Sequence, residues 1–322
     1  MTFHTDIRLL EELKILLNRT ADFTLLDKLS KSNVDTIDEL LNLISELNVS
    51  KHVKVIASTP IPSNEIFYKL NSAWISELNE LIELMKGSNK VRKFLGYIKD
   101  KFAVNEVIKL FYEYPNIGEH YYFVDRDLIA TLKSSDKVAS LLELGSNKLT
   151  KYVFDALRKH EGLRISELNI KAVEYEVLYR FWRDFIDFSK TLNPKIKLIN
   201  CLRVMKNLEL RIGSIRALLI KNVDAVVANK FEYPIVKAFS LSKCKDSWCI
   251  DSIINLFSTV YSMRVLSTTP ISYDTLLLYV VRKIFESSVL SSVIYMLLNG
   301  LGAPIIKKYF GELNNVLKST IT

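Results

Sequence analysis

Seven basic residues crowd the stretch from Lys195 to Lys221, against one acid, Glu209. On a helix at about 100° per residue, Arg203, Lys206, Asn207, Arg211, Ser214 and Lys221 share most of one arc. Val204, Met205, Leu208, Ile212, Ile215 and Leu219 share another, with Leu210 and Leu218 at the seam or on the polar side. An apolar arc about 100° wide buries against neighbouring helices and leaves the opposite arc to solvent or a partner. The chemistry of a basic stripe is non-covalent: it attracts carboxylates or phosphates. Like charges held close on a helix repel by roughly 0.2–0.5 kcal/mol per pair, so such a stripe is most useful where it meets an acidic partner. Arg203, Lys206, Arg211, Arg216 and Lys221 are the candidate docking residues. The competing reading is a solvated helix face.

Covalent chemistry finds little material. Cys244 and Cys249 are close, as C-K-D-S-W-C, but no histidine lies near to complete a zinc site. Three cysteines in so long a chain do not make a disulfide framework and favour a reducing compartment. His4, His52, His120 and His160 have no nucleophile or carboxylate pattern beside them. The acid pairs Glu11–Glu12 and Asp184/Asp187 read as solvated helix faces. No phosphate-cradling G-x-x-x-x-G-K-[ST] occurs. Gly-Ser-Asn-Lys appears at 87–90 and again at 145–148, where it reads as a helix stop and restart. His120 to Phe123 and Phe181-Trp182 could stack bases, though core packing is the commoner fate of such clusters. No catalytic, cofactor-binding or metal-binding residue is expected.

The elements that carry these residues are helical. Nine glycines and seven prolines in 322 residues leave long uninterrupted runs, and 49% hydrophobic residues supply a large core. Helices are expected over 6–18, 22–29, 34–47, 65–87, 90–112, 125–132, 135–144, 149–160, 165–188, 197–221, 272–299 and 305–317. His52 to Pro62 alternates briefly and ends in prolines, so a loop or short extended piece is expected there. Ser287 to Ile306 holds 20 residues without a charge, the length of a bilayer span. Its four serines, Asn299, Gly300, Gly302 and Pro304 favour a buried helix followed by a turn. The charged N-terminus, MTFHTDIRLLEELK, does not read as a signal peptide.

Three windows align without gaps: Glu106–Phe111, Ser214–Leu219 and Ser292–Leu297. Each is apolar at its second, fifth and sixth positions, and the order of short helices, a longer one and then the window recurs at least twice. This order marks one supersecondary unit used several times, in lobes at 1–116, 117–222 and 223–322. The lobes carry −1, +6 and +3 of the net charge of +8. A basic balance favours an anionic partner, whether nucleic acid, a lipid surface or an acidic protein face.

Four stretches resemble the C-subunit family of archaeal A-type and vacuolar-type ATPases, whose eukaryotic counterpart is the d-type subunit. They are Ile7-Arg8-Leu9 with Leu16-Leu17, Arg92-Lys-Phe-Leu-Gly-Tyr97, Ile215-Arg-Ala-Leu-Leu219, and Pro270-Ile-Ser272 with Thr275-Leu-Leu-Leu-Tyr279 leading to Met296-Leu297. In the family's repeated turn, D-I-x-N-[LI]-[KR], the asparagine positions fall on Glu106, Ser214 and Ser292. The acidic positions fall on Ala103, Arg211 and Val289, and Arg216 keeps the basic residue. The resemblance implies three similar helical lobes in pseudo-threefold arrangement around a tapering cavity. It implies a non-catalytic rotor adaptor without cofactors, with the D and F subunits of the central shaft and the membrane proteolipid ring as partners. Its place would be the cytoplasmic face of the cell membrane, held peripherally through the ring. A basic, all-helical nucleic-acid-binding protein is the alternative that charge and aromatic content leave open.

Overall fold

Helical periodicity with few breakers builds helices throughout the computed structural model of the chain. It describes residues 2–59, 65–118, 121–192, 196–220, 247–267 and 271–321, with side chains except at 2–5, 196, 211–220, 247–255, 257 and 316–321. The fold is all-α, with no strand among the described residues. The first elements are α1 (Thr2–Leu16), α2 (Thr24–Lys31), α3 (Ile37–Leu43), α4 (Ser50–Ala57), α5 (Ile66–Leu84) and α6 (Asn89–Glu113). Four short helices follow: α7 (Arg126–Ser134), α8 (Val138–Leu142), α9 (Ser146–Leu149) and α10 (Lys151–Leu157). Then come α11 (Ile170–Lys190), α12 (Ile196–Ile220), α13 (Ser247–Leu266), α14 (Tyr273–Leu298) and α15 (Ala303–Ile321).

Three pairs of long helices recur in this order: α5 with α6, α11 with α12, and α13 with α14. Each pair packs together, and its second member has 25, 25 or 26 residues. The three aligned windows all lie near the C-terminal ends of these second helices.

The chain ends interlock. α14 packs on α1, α5, α12 and α13, and α15 packs on α2. α14 is buried nearly all round, from Tyr273 to Met296. A helix apolar on every side must be enclosed, by lipid or by protein; here protein encloses it. Its serines turn inward on their own backbone, as where Ser288 Oγ donates to the Ile284 carbonyl at 2.8 Å. The helix stops at Asn299, Gly300 takes φ +70°, and α15 restarts at Ala303. A Cβ on Gly302 would sit 2.6 Å from Asp35 Oδ1, so glycine is what lets that carboxylate reach the Ala303 amide at 2.6 Å. The expected buried helix and turn are thus present, and no helix among the described residues is long and apolar enough to cross a membrane.

Asp6 ties the start of the chain to two distant helix N-termini. It is fully buried on α1 and accepts from Ser88 N at 2.8 Å, Ser88 Oγ at 2.7 Å and the Tyr273 hydroxyl at 2.7 Å. Ser88 immediately precedes α6 and Tyr273 opens α14, where a carboxylate also suits the positive end of the helix dipole. Further along α14, Glu286 accepts from the Ala21 amide and pairs with Lys283 at 2.8 Å, all within the core.

Both Gly-Ser-Asn-Lys copies act as stops and restarts. Ser88 precedes α6, and Gly145, at φ +76°, precedes α9. Two expectations fail: α13 is a 20-residue helix where no long element was expected, and residues 50–57 form α4 where a loop or extended piece was expected. Val53 and Ile56 bury one helical step apart, while Val55 faces out at 56% exposure. The brief alternation was a three-residue accident inside a helical period. Residues 60–62 of that stretch lie outside the described residues.

Candidate functional site

Helix α12 carries the basic stretch, and a buried triad decides which way it faces. Glu209 points inward at 7% exposure and pairs with Lys101 of α6 at 2.6 Å, itself 1% exposed. The indole of Trp182 on α11 donates to the second Glu209 oxygen at 2.7 Å. One carboxylate thus joins three helices. Around it Leu198, Ile199, Cys201, Leu202 and Met205 are buried. The predicted apolar arc is therefore rotated: Val204 and Leu208 are only half-buried, and the buried face shifts toward Glu209. Counting apolar residues alone had excluded that carboxylate from the core.

The consequence for charge is direct. The single acid of the basic stretch is spent inside the protein, so it does not neutralise the outer face. There Arg203 and Asn207 are exposed and Lys206 is half-buried. The backbone of Arg211 and Arg216 lies on α12, their side chains are outside the description, and Lys221 lies beyond the described residues.

Beside this stripe, α11 presents two tyrosines that sequence reasoning did not single out. Tyr175 and Tyr179 are 55% and 41% exposed, and their rings stack at 6.1 Å and 18°. Lys206 Nζ sits 4.3 Å from the centre of the Tyr179 ring, a cation–π contact. The candidate base-stackers Phe181 and Trp182 are instead fully buried. The available signal was chemical type: at adjacent positions of one aromatic helix, phenylalanine and tryptophan go in and the hydroxyl-bearing rings stay out.

The second aromatic cluster also turns to structural use. Glu106, 1% exposed, accepts from the Tyr122 amide at 3.0 Å and the Phe123 amide at 2.7 Å. Phe123 stacks on Phe102 at 5.1 Å, and the Tyr121 and Tyr122 hydroxyls donate to Glu113 and Glu65. Burial pushes the Glu106 carboxyl up to about 7, against the pull of these amides and of Lys109. His120 lies outside the described residues.

A cleft of about 580 Å³ opens between α5, α6, residues 122–125 and the α9–α10 corner. Its charges balance, Lys99 and Lys148 against Asp100 and Asp125, and Lys148 is bound to Asp127. Burial raises the Asp100 carboxyl above its ordinary range. Thr150, on its rim, adopts φ +62°, an uncommon conformation for a β-branched residue. No histidine or cysteine lines this cleft.

Elsewhere the chemically apt residues are quiet. The Cys201 thiol is buried, which pushes it up to about 11. His52 lies 3.1 Å from Glu77; burial pushes that carboxyl up, but bonds and charge from His52 and Lys51 outweigh it and hold it near 2. Asp184 and Asp187 are engaged by Lys151 and Lys190. Cys244 is outside the described residues, as are the side chains of Cys249 and His4. Among the described residues no three histidines, cysteines or carboxylates gather as a metal site.

No protein-family model and no curated protein matches the chain. What the chain offers for function is its architecture and the outer face of α11 and α12.

Proposed function

We propose that the chain is a non-catalytic central-stalk adaptor of an A/V-type rotary ATPase or ATP synthase. In this role it couples the shaft, made of the D and F subunits, to the membrane proteolipid ring. The observation that carries the reading is the recurrence of one unit: three paired long helices, each closing on one of the three aligned windows. Three similar lobes, near 1–116, 117–222 and 223–322 around a tapering cavity, would make the socket such an adaptor needs. An all-helical chain with a basic outer stripe supports the same reading, because a socket works by shape and charge rather than by chemistry.

A peripheral place on the cytoplasmic face of the membrane follows from the role, with the ring as the anchor. Pulldown of the tagged chain from native membranes tests it. Shaft and ring subunits should co-purify, and a high-pH carbonate wash should release the chain. Recovery without any ATPase subunit would sink the proposal.

A further inference from the structure

We propose that the outer face of α11 and α12 docks an acidic helical segment of another protein, with Tyr175 and Tyr179 as its apolar anchor and Arg203 and Lys206 as its cationic edge. Large exposed rings side by side are costly to leave in water, and tyrosine and arginine are the residue types that dominate protein-contact hot spots. Two stacked tyrosines at 55% and 41% exposure are such an anchor.

Charge complementarity selects the occupant. The acids on this side of α11 already have cations. Glu176 is held by Lys159 and Arg180, Asp184 by Lys151 and Arg183, and Asp187 by Lys190 at 2.6 Å. Asp187 also feels the charge of Lys206, but Lys190 is its bonded partner. Glu209, the acid of α12, is buried on Lys101. Among the described residues, Arg203 and Lys206 therefore have no carboxylate within ion-pair distance. They are left to an outside acid.

A protein segment fits better than a single-stranded nucleic acid. Base stacking needs an open aromatic face, whereas the Tyr179 ring is already covered by Lys206 at 4.3 Å and flanked by Tyr175. Two packed helices side by side also offer the seat on which a third helix lies, apolar strip down and acidic residues toward the cations. The inference does not require that the partner belong to a rotary ATPase. Membrane co-purification and the assay below therefore read the two proposals separately.

The probe is a fluorescein-labelled amphipathic peptide of leucine and glutamate turns, titrated with the full chain at roughly 0.15 M salt and at low salt. A dT20 oligonucleotide is the competitor probe. Saturable peptide binding, strengthened at low salt, is expected. Arg203→Glu/Lys206→Glu and Tyr175→Ala/Tyr179→Ala should each weaken it by about tenfold or more. Lys54→Glu, an exposed cation on α4, should leave it unchanged. Melting curves of both double variants should lie close to wild type, because Tyr175, Tyr179 and Arg203 are exposed and the half-buried Lys206 lies over the Tyr179 ring rather than in the core. Absent peptide binding, or binding indifferent to both double variants, would overturn the proposal. Tighter binding of the oligonucleotide with the same sensitivity would replace the protein partner with a single strand.

Discussion

Glu106 shows how one residue couples fold to pH. Its carboxylate accepts two backbone amides from residues 122 and 123, yet burial still lifts it from 4.5 to about 7. The folded chain thus binds this proton more tightly than the unfolded chain. Below about 4.5 the group is neutral in both states and costs nothing. As pH rises to about 7 and beyond, stability falls by about 3 kcal/mol from this residue. Carboxyl carbon NMR should find a Glu106 midpoint near neutrality, and Glu106→Gln should remove the corresponding slope from stability between pH 5 and 8. A midpoint in the ordinary carboxylate range would refute the assignment. The residue stands at an asparagine position of the turn pattern, and its type alone marked it only as acidic. The amides that hold it come from a segment folded back over α6.

At the scale of elements, the Lys101–Glu209–Trp182 triad sets the rotation of α12 against α6 and α11. Breaking one side of a buried pair strands a charge, typically at 3–5 kcal/mol. Lys101→Met should therefore destabilise strongly in denaturant titration. Lys101→Met combined with Glu209→Leu should recover much of that loss, because no charge is then left buried. Equal or additive losses would mean that the pair does not act as a unit. Rings add to the same junction: Phe94 and Tyr97 of α6 meet Phe185 of α11 at 5.3 Å and 5.0 Å. Most of the helices, though not α13, were legible from period and punctuation, including both Gly-Ser-Asn-Lys restarts. The rotation of α12 was not, because Glu209 reads as polar until Lys101 and Trp182 are beside it. The same blindness hid α4, whose Val55 mimicked alternation.

At the scale of the whole molecule, the last helix covers the second. α15 buries Ile306, Tyr309, Phe310 and Leu313, and α2 buries Leu25, Leu26 and Leu29. Asn314 adds a 2.6 Å bond to Asp27, and the Ala303 amide binds Asp35. Burying four large apolar side chains contributes roughly 1.5–3 kcal/mol each, a sum comparable with the stability of an entire domain. A chain ending at Gly302 should therefore lose cooperative unfolding and let α2 unfold, so that trypsin cuts at Lys28 and Lys31, which are exposed but held on a helix in the intact chain. An unchanged melting transition would show that α15 is an accessory. The same interlock explains the charge-free stretch after Glu286: α14 needs no lipid because α1, α5, α12 and α13 enclose it.

The sequence by itself determined the helical class, most helix boundaries, the turn after Leu298 and the succession of a long helix and a longer one in the first two thirds of the chain; α13, the partner of α14, was not legible. These follow from periodicity, glycine and proline placement, and capping residues, all local in the chain. Tertiary structure alone decided which face of α12 is buried, which aromatics of α11 stay outside, and that the one acid of the basic stretch is withdrawn from the surface. Each of those outcomes depends on partners far away in the chain, as Lys101 is from Glu209 and Asp6 from Tyr273. The free energy of burying a charge or a ring is set by what surrounds it, and sequence spacing carries no record of that.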